Sequence, residues 1–464
     1  MLIIQTINGV WKMEIIIVGC GKVGSALATK LDREGHNITV IDTNAEKIRH
    51  ITEDIDVMGI VGNGSSIDVL TEADMENADV FIAVTGSDEL NLLCCMFAKK
   101  AGNCRAVARV RNPMYSHQLE FIKEQLGIST IINPELAAAR EISRLLRFPA
   151  ANKIDTFADG RVRLIKFELE ENSPLENVML KDISAKIKSN ILICAVERGH
   201  EVIIPDGSFV FDKNDIITFA AAPESAKAFF KELNMQTRAV KNVIIIGGGT
   251  IGFYLAKELI DNNINVKIVD HNLKRCEELA EVLPDAMILH GDGSDRAFLM
   301  SEDLPSAEAV VNLTNMDEEN ILTALFCKKH SNAKTVTKIN RLEFDDIIEG
   351  LDIGSVIYPK YITCDFILQH VRSLQNASGS NIKTLYNILD DRVEALEFTV
   401  HNSPTVTDVP LYQLKLKSNM LICCITRGKE VIIPKGNTQI HEGDSVIVIT
   451  LEHGLRDISD IIVH

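Results

Sequence analysis

No stretch of this chain reaches the roughly 20 consecutive apolar residues that span a bilayer. The opening MLIIQTINGVW has neither a basic start nor a long apolar core, so it does not read as a secretory leader. Aromatic residues are scarce, at 5% with a single Trp, which leaves no material for an aromatic stacking platform. Positive charge is short as well: 48 basic residues stand against 65 acidic ones, for a net charge of −17. A nucleic-acid surface needs a basic stripe to neutralise phosphates, so that class of partner is excluded. Non-specific adhesion to anionic lipid is disfavoured for the same reason, and any membrane partner is expected to be a specific protein. The ten cysteines include the adjacent pairs Cys94–Cys95 and Cys423–Cys424 but no C-x-x-C spacing. They sit in apolar runs such as ILICAV and LICCIT and read as small buried hydrophobes. With no disulfide framework and no zinc spacing, the cytosol is the expected compartment.

What the sequence does have is a repeat. MEIIIVGCGKVGSALATKL returns as KNVIIIGGGTIGFYLAKEL, with Gly19 matching Gly247 and Asp42 matching Asp270. VGNGS returns as HGDGS, and VTGSDELN as LTNMDEEN. SNILICAVERGHEVIIPDG returns as SNMLICCITRGKEVIIPKG, with Ser189 matching Ser418. The offset stays at 228 or 229 throughout, which marks a tandem duplication. We therefore expect an extension over 1–12 and two units, each with two lobes. The lobes run over 13–150 and 151–238, then over 239–375 and 376–464.

The first lobe of each unit reads as α/β. EIIIVG is a short β-branched run ending at Gly, the signature of a buried parallel strand. GKVGSALATKLDREG follows at helical spacing, then HNITVID as a second strand with Asp42 at its end. ADVFIAVTG, CRAVARV and GISTI supply further strands, and this alternation implies a Rossmann-like parallel sheet. A lone G-x-G-x-x-G says little, but here it sits between strand and helix, and it does so twice. Gly19, Cys20, Gly21, Lys22, Val23 and Gly24 form the first turn; Gly247, Gly248, Gly249, Thr250, Ile251 and Gly252 form the second. The first Gly allows the tight turn, the second lets a pyrophosphate approach, and the third lets helix pack on strand. Free N–H groups at the helix start then face the phosphates, a local field compatible with a net negative chain. Asp42 and Asp270 stand where a carboxylate accepts from ribose hydroxyls and repels a 2′-phosphate, so NAD is favoured over NADP. Asn63 and Asp292 are placed to meet an adenosine. Thr85 with Gly86, and Thr314 with Asn315, end the fourth strand near the topological switch. Arg109 ends the fifth, within reach of a phosphate, and Lys338 replaces it in the second copy without the bidentate fork.

The second lobe reads as a small α+β domain. It holds a hairpin turning at Arg198–Gly199 and a last strand in DKNDIITFAA, echoed by HEGDSVIVIT. No His recurs at one place in both copies, and no H-E-x-x-H, G-x-S-x-G or paired-carboxylate pattern stands out, so no catalytic residue and no metal site is assigned. DELN and DEEN read as helix starts and solvated surface. IINPELAAAREISRLLRF reads as a crossover helix, either an assembly surface or packed within its own chain.

Together the G-x-G-x-x-G strand–helix, VID, G(N/D)GS, VTxxDExN and RVRNP segments, followed by SNxLICxxxRGxEVIIPxG, resemble the RCK (KTN) family, which regulates potassium conductance. The resemblance covers 13–464. It implies N-lobes that bind NAD(H), or in some members ATP or ADP, and βαβ-containing C-lobes for ligand binding or dimerisation. It implies self-association into a ring, as a homotetramer or a dimer of such chains. That ring would sit at the cytoplasmic face of the membrane, peripheral to an integral potassium-translocating subunit. Carried over by residue, Gly19 to Gly24 contact the pyrophosphate, Asp42 the ribose, Asn63 the adenosine, Thr85 the nicotinamide side and Arg109 a phosphate. Gly247 to Gly252, Asp270, Asp292, Thr314 and Lys338 occupy those places in the second copy. Asn63 departs from the usual Asp, which is expected to ease a more anionic ligand in the first site; Lys338 is expected to weaken phosphate grip in the second. The implied role is a nucleotide-gated regulator rather than an enzyme. An NAD-dependent oxidoreductase and a nucleotide-stabilised ring scaffold are the alternatives.

Overall fold

The computed structural model describes residues 12–464 apart from 116–117, 159, 200, 236, 341–347, 349–350, 377–381, 389–391, 402, 404, 453–454, 456 and 464. Of the 1–12 extension only Lys12 falls among the described residues.

The first parallel sheet is built from β1 (Glu14–Val18), α1 (Lys22–Arg33), β2 (Asn37–Asp42), α2 (Ala45–Asp54), β3 (Met58–Val61), α3 (Ile67–Glu72), β4 (Val80–Ala83), α4 (Asp88–Ala101), β5 (Arg105–Arg109), α5 (Leu119–Leu126) and β6 (Thr130–Ile132). Its strand order is β3-β2-β1-β4-β5-β6, and every pairing is parallel. The order reverses between β1 and β4, which makes their C-terminal ends the topological switch. EIIIV and VFIA form central strands because β-branched and apolar side chains fit a sheet covered on both faces. The helix α6 (Pro134–Arg147) then leaves the sheet, capped by Asn133, whose side chain accepts from Leu136 N, with Pro134 at the first helical position.

A five-stranded sheet follows: β7 (Lys153–Phe157), β8 (Val162–Glu168), β9 (Ile191–Arg198), β10 (Glu201–Ile203) and β11 (Ile216–Ala221), then α7 (Pro223–Glu232). Its order is β10-β9-β11-β8-β7, and its strands pair antiparallel throughout. The βαβ crossover implied by the family resemblance is therefore not how its named strands pair. The hairpin expected at Arg198–Gly199 is present, with Gly199 at φ +59 in the turn. Arg198 grips the fully buried Asp215 through two bonds of 2.7 Å, which fastens β9 to the loop before β11.

The second unit repeats the plan. Its parallel sheet comprises β12 (Asn242–Ile246), α8 (Thr250–Asp261), β13 (Asn265–Asp270), α9 (Leu273–Val282), β14 (Met287–His290), α10 (Arg296–Ser301), β15 (Ala309–Asn312), α11 (Asp317–His330), β16 (Lys334–Lys338) and β17 (Ser355–Ile357), in the order β14-β13-β12-β15-β16-β17. The crossover helix α12 (Pro359–Asn376) leads to β18 (Ile382–Ile388), β19 (Val393–Thr399), β20 (Met420–Arg427), β21 (Glu430–Ile432) and β22 (Ser445–Thr450). Arg427 and Asp444 repeat this arginine grip on a buried carboxylate, at 2.9 and 2.8 Å.

The units are interlocked. Ala138, Ala139, Ile142, Leu145 and Leu146 of α6 share one buried core with Tyr254, Leu255, Ala256 and Leu259 of α8 in the other unit. In return Cys364, Ile367, Leu368 and Val371 of α12 pack beneath β1 and α1 of the first unit. Of the two readings of IINPELAAAREISRLLRF, the helix packed within its own chain is the one observed, but it packs on the other repeat. The two antiparallel sheets also meet, burying Cys194 against its repeat partner Cys423 with sulfurs 3.6 Å apart. All ten cysteines are buried and free, as small hydrophobes. Among the described residues no helix is long and apolar enough to cross a membrane.

Candidate functional site

The two glycine turns are shaped by close approach. At Gly19 the backbone has φ +106, and a Cβ there would stand 3.0 Å from Thr85 N. A Cβ on Gly24 would lie 1.8 Å from Gly19 O, so only Gly lets α1 start beneath the turn. Gly247 repeats the left-handed conformation at φ +107, and Gly252 the close contact at 2.4 Å. By contrast a Cβ on Gly21 or Gly249 would meet nothing within 4 Å. These middle glycines face open space at the helix start.

Those helix starts are left without caps. Helices α2, α4, α6, α9 and α10 begin with an Asn, Ser or Asp side chain accepting from the first turn. Helices α1 and α8 begin at Gly21 and Gly249 with no side-chain cap and no acidic residue in the first turn. Their free N–H groups and the positive ends of their dipoles face the crevice and suit an anion.

Asp42 lies beside the turn and holds it. Its Oδ2 accepts from Cys20 N at 2.7 Å and its Oδ1 from Asn44 N at 2.8 Å. Asp270 does the same with Gly248 N and Asn272 N, at 2.8 and 2.9 Å. A carboxylate oxygen has lone pairs to spare after one such bond, so both groups can still accept from hydroxyls.

The first crevice, about 480 Å³, is lined by Gly19, Gly21, Lys22, Val23, Asp42, Asn63, Thr85, Gly86 and Arg109, so the structure gathers these expected residues around one cavity. Cys20 and Gly24, in the same turn, are buried and do not line it. Arg109 Nη2 donates to Thr85 O at 2.5 Å, while its Nε is buried with no hydrogen-bond partner. Burial, with Arg111 beside it, makes this guanidinium's charge costly and lowers its pKa below the ordinary value. An orphaned buried donor, an open glycine and an uncapped helix start fit a phosphate-bearing ligand.

The second crevice is smaller, about 290 Å³, and lined by Gly249, Asp270, His271, Asn272, Lys274, Arg275 and Glu278. Thr250 and Ile251 form the first turn of α8. Asp292, Thr314, Asn315 and Lys338 do not line this cavity. Asp292 accepts from Ser294 N and Oγ at 2.8 Å, and these bonds hold its pKa below the ordinary carboxylate value. Lys338 is 6% exposed, donates to Asn315 Oδ1 at 3.2 Å, and is lowered in pKa chiefly by burial.

DELN and DEEN are helix starts, but they are not wholly solvated surface. Asn91 and Asn320 are buried, and each ties the end of its unit's fourth strand to the end of the fifth. Asn91 Oδ1 accepts from Thr85 N (2.8 Å) and Thr85 Oγ1 (2.7 Å), while its Nδ2 donates to Arg109 O (2.8 Å). Asn320 repeats these bonds with Thr314 and Lys338 O. Asp88 is also buried and accepts from the backbone N–H groups of Arg111 and Asn112. A polar residue recurring at an inward helical position in both copies was the signal for this clamp. Between the units, Tyr254 OH donates to Arg111 O at 3.3 Å and accepts from Asn133 Nδ2 at 2.9 Å.

Fold and crevices thus define a protein of two tandem Rossmann-type units, each followed by a small antiparallel lobe. The TrkA-N domain matches residues 15–134 and 243–359, and the TrkA-C domain residues 164–234 and 395–463. The Trk system potassium uptake protein TrkA homolog 1 of Methanosarcina mazei is 32% identical over 455 residues, covering 96% of this chain and 99% of its own. The TrkA of Halomonas elongata is 33% identical over 453 residues, covering 96% and 98%. The RCK domain of the GsuK channel superimposes with a TM-score of 0.61 at 18% identity, covering 96% of this chain and 94% of its own, a likeness of fold. The chain belongs to the TrkA family.

Proposed function

We propose that this chain is a nucleotide-binding regulatory subunit that gates a membrane potassium-uptake system from its cytoplasmic face. The observation that carries the reading is the repeated crevice: two glycine turns opening onto uncapped helix starts, each bolted by an Asp at the ribose position. Its TrkA relatives are named as Trk system potassium uptake proteins. The GsuK channel, whose fold this chain shares, has been solved with NAD and with ADP. In this reading the cofactor is NAD(H), with ATP or ADP as further ligands. Gly19 to Gly24 hold the pyrophosphate, Asp42 the ribose, Asn63 the adenosine, Thr85 with Gly86 the nicotinamide side, and Arg109 a phosphate; the corresponding second-copy residues hold the other ligand. The partner is an integral potassium-translocating subunit beneath which two or four chains form a ring. The chain is not an enzyme in this reading: nucleotide binding itself is the signal.

Binding alone shifts no equilibrium. The nucleotide must bind the conducting and closed arrangements with different affinity, and the flux change reports that difference. The test is potassium flux through the reconstituted membrane subunit with this chain present, titrated with NADH, NAD and ATP. Flux is expected to change with at least one of them; indifference to all three sinks the proposal. Replacing Asp42 by Ala is a poor control, because Asp42 also holds the turn. Gly21→Leu is better: Gly21 has φ −85, which any residue adopts, and its added side chain enters open space.

A further inference from the structure

Resting on the nucleotide-binding reading above, we infer that the two crevices differ in the length of ligand they admit. The first takes a dinucleotide. The second takes an adenosine di- or triphosphate and excludes the dinucleotide.

Gly86 lines the first crevice, and a Cβ built there meets nothing within 4 Å. That open space lies on the far side of the glycine turn from Asp42, where the second half of a dinucleotide must go. The repeat places Asn315 at this position. Its side chain accepts from Lys338 Nζ at 3.2 Å. Lys338 has taken the place of Arg109, and it is buried where Arg109 is partly exposed. An amide and an ammonium, tied together, now close the end that the first copy leaves open.

The cavities follow from this. The first runs from Asp42 past the glycine turn to Thr85 and Arg109, over about 480 Å³. The second is about 290 Å³, and its lining stops at Gly249 on the Asp270 side. It keeps the Asp270 carboxylate and the uncapped start of α8, the places of a ribose and of phosphates.

Cations stand in both crevices. Where the first copy has Glu46 and Lys47, the second has Lys274 and Arg275. Both cations line the second cavity, and Arg275 is anchored by Nε to Gly248 O at 2.8 Å and by Nη1 to Glu278 at 3.1 Å. The first cavity is itself lined by Lys22, Lys47 and Arg109, so cations serve phosphates in both crevices and length is what separates them. The Asp292 carboxylate is turned into its own loop on Ser294. The assignment reverses the expectation drawn from Asn63 and Lys338, which put the more anionic ligand in the first site.

The test is binding stoichiometry on the full chain, by calorimetric titration with NADH and separately with ADP. The unaltered chain is expected to bind one NADH and two ADP, with ADP competing for the NADH site. Gly21→Leu should weaken NADH binding at least tenfold and leave one ADP. Gly249→Leu, whose φ of −63 is also unstrained, should leave one NADH and remove one ADP. Asn315→Gly should raise NADH from one to two per chain. Two NADH per unaltered chain, or NADH retained in Gly21→Leu and lost in Gly249→Leu, overturns the inference while nucleotide binding stands. Binding of neither nucleotide overturns both. The count on the unaltered chain decides the matter even where a variant fails to fold.

Discussion

At the scale of single residues, polar groups beneath the crevices matter as much as those lining them. Asn91 is the example: one side chain fixes Thr85 and the end of β5 together. Its partners lie 6 and 18 residues away, so the pattern DELN carried no local trace of it, and only recurrence at Asn320 hinted at an inward role. The glycines and the strand-end Asp were legible because a strand–turn–helix around a pyrophosphate demands those residue types at that spacing. That Asp42 also holds the turn was not, since it depends on where the N–H of Cys20 points. His36 gives a residue-scale prediction. It is 3% exposed, and burial lowers its pKa below the ordinary 6.5; Glu34 opposes that shift, and Arg372 reinforces it. The folded chain keeps the imidazole neutral, while the unfolded chain takes up a proton below about pH 6.5. The stability His36 contributes is thus present above that value and lost as pH falls below it. Urea midpoints between pH 7.5 and 5.5 should drop more steeply for the natural chain than for His36→Gln; equal slopes would rule the effect out.

At the scale of elements, the sequence located α6 but not its partner. Ala138, Ala139, Ile142, Leu145 and Leu146 announce a broad apolar face, and any such face can pack on a neighbour, another chain or the same sheet. Its seat on α8 is a tertiary fact. The antiparallel lobes were legible in part for a similar reason. Alternating strands and the Arg198–Gly199 turn read locally, whereas strand order depends on long connections. Leu146 is fully buried in the core that joins α6 to the second unit. Leu146→Ala should cost about 2–5 kcal/mol of unfolding free energy, whereas truncating Ile67, which is 59% exposed, should cost no more than about 0.5 kcal/mol. Chemical denaturation of the two variants compares them directly. Similar costs at both sites would deny α6 its place in the core.

At the scale of the whole molecule, the repeat legible in the sequence becomes an approximate two-fold arrangement. Each crossover helix serves the other unit, and Cys194 meets its own counterpart. Two half-chains, 1–238 and 239–464, expressed together with a tag on one, should therefore co-purify. Their elution as separate, independently folded monomers would contradict the exchange. The exchange also has a consequence for divergence. A unit that lends its helix to an identical copy is bound to that copy's sequence: every change in one crevice appears in both. Once the two copies share one chain, each crevice can change alone while the interlocking stays intact. Gly86 and Asn315, or Arg109 and Lys338, are differences that a pair of identical subunits could never hold at the same time.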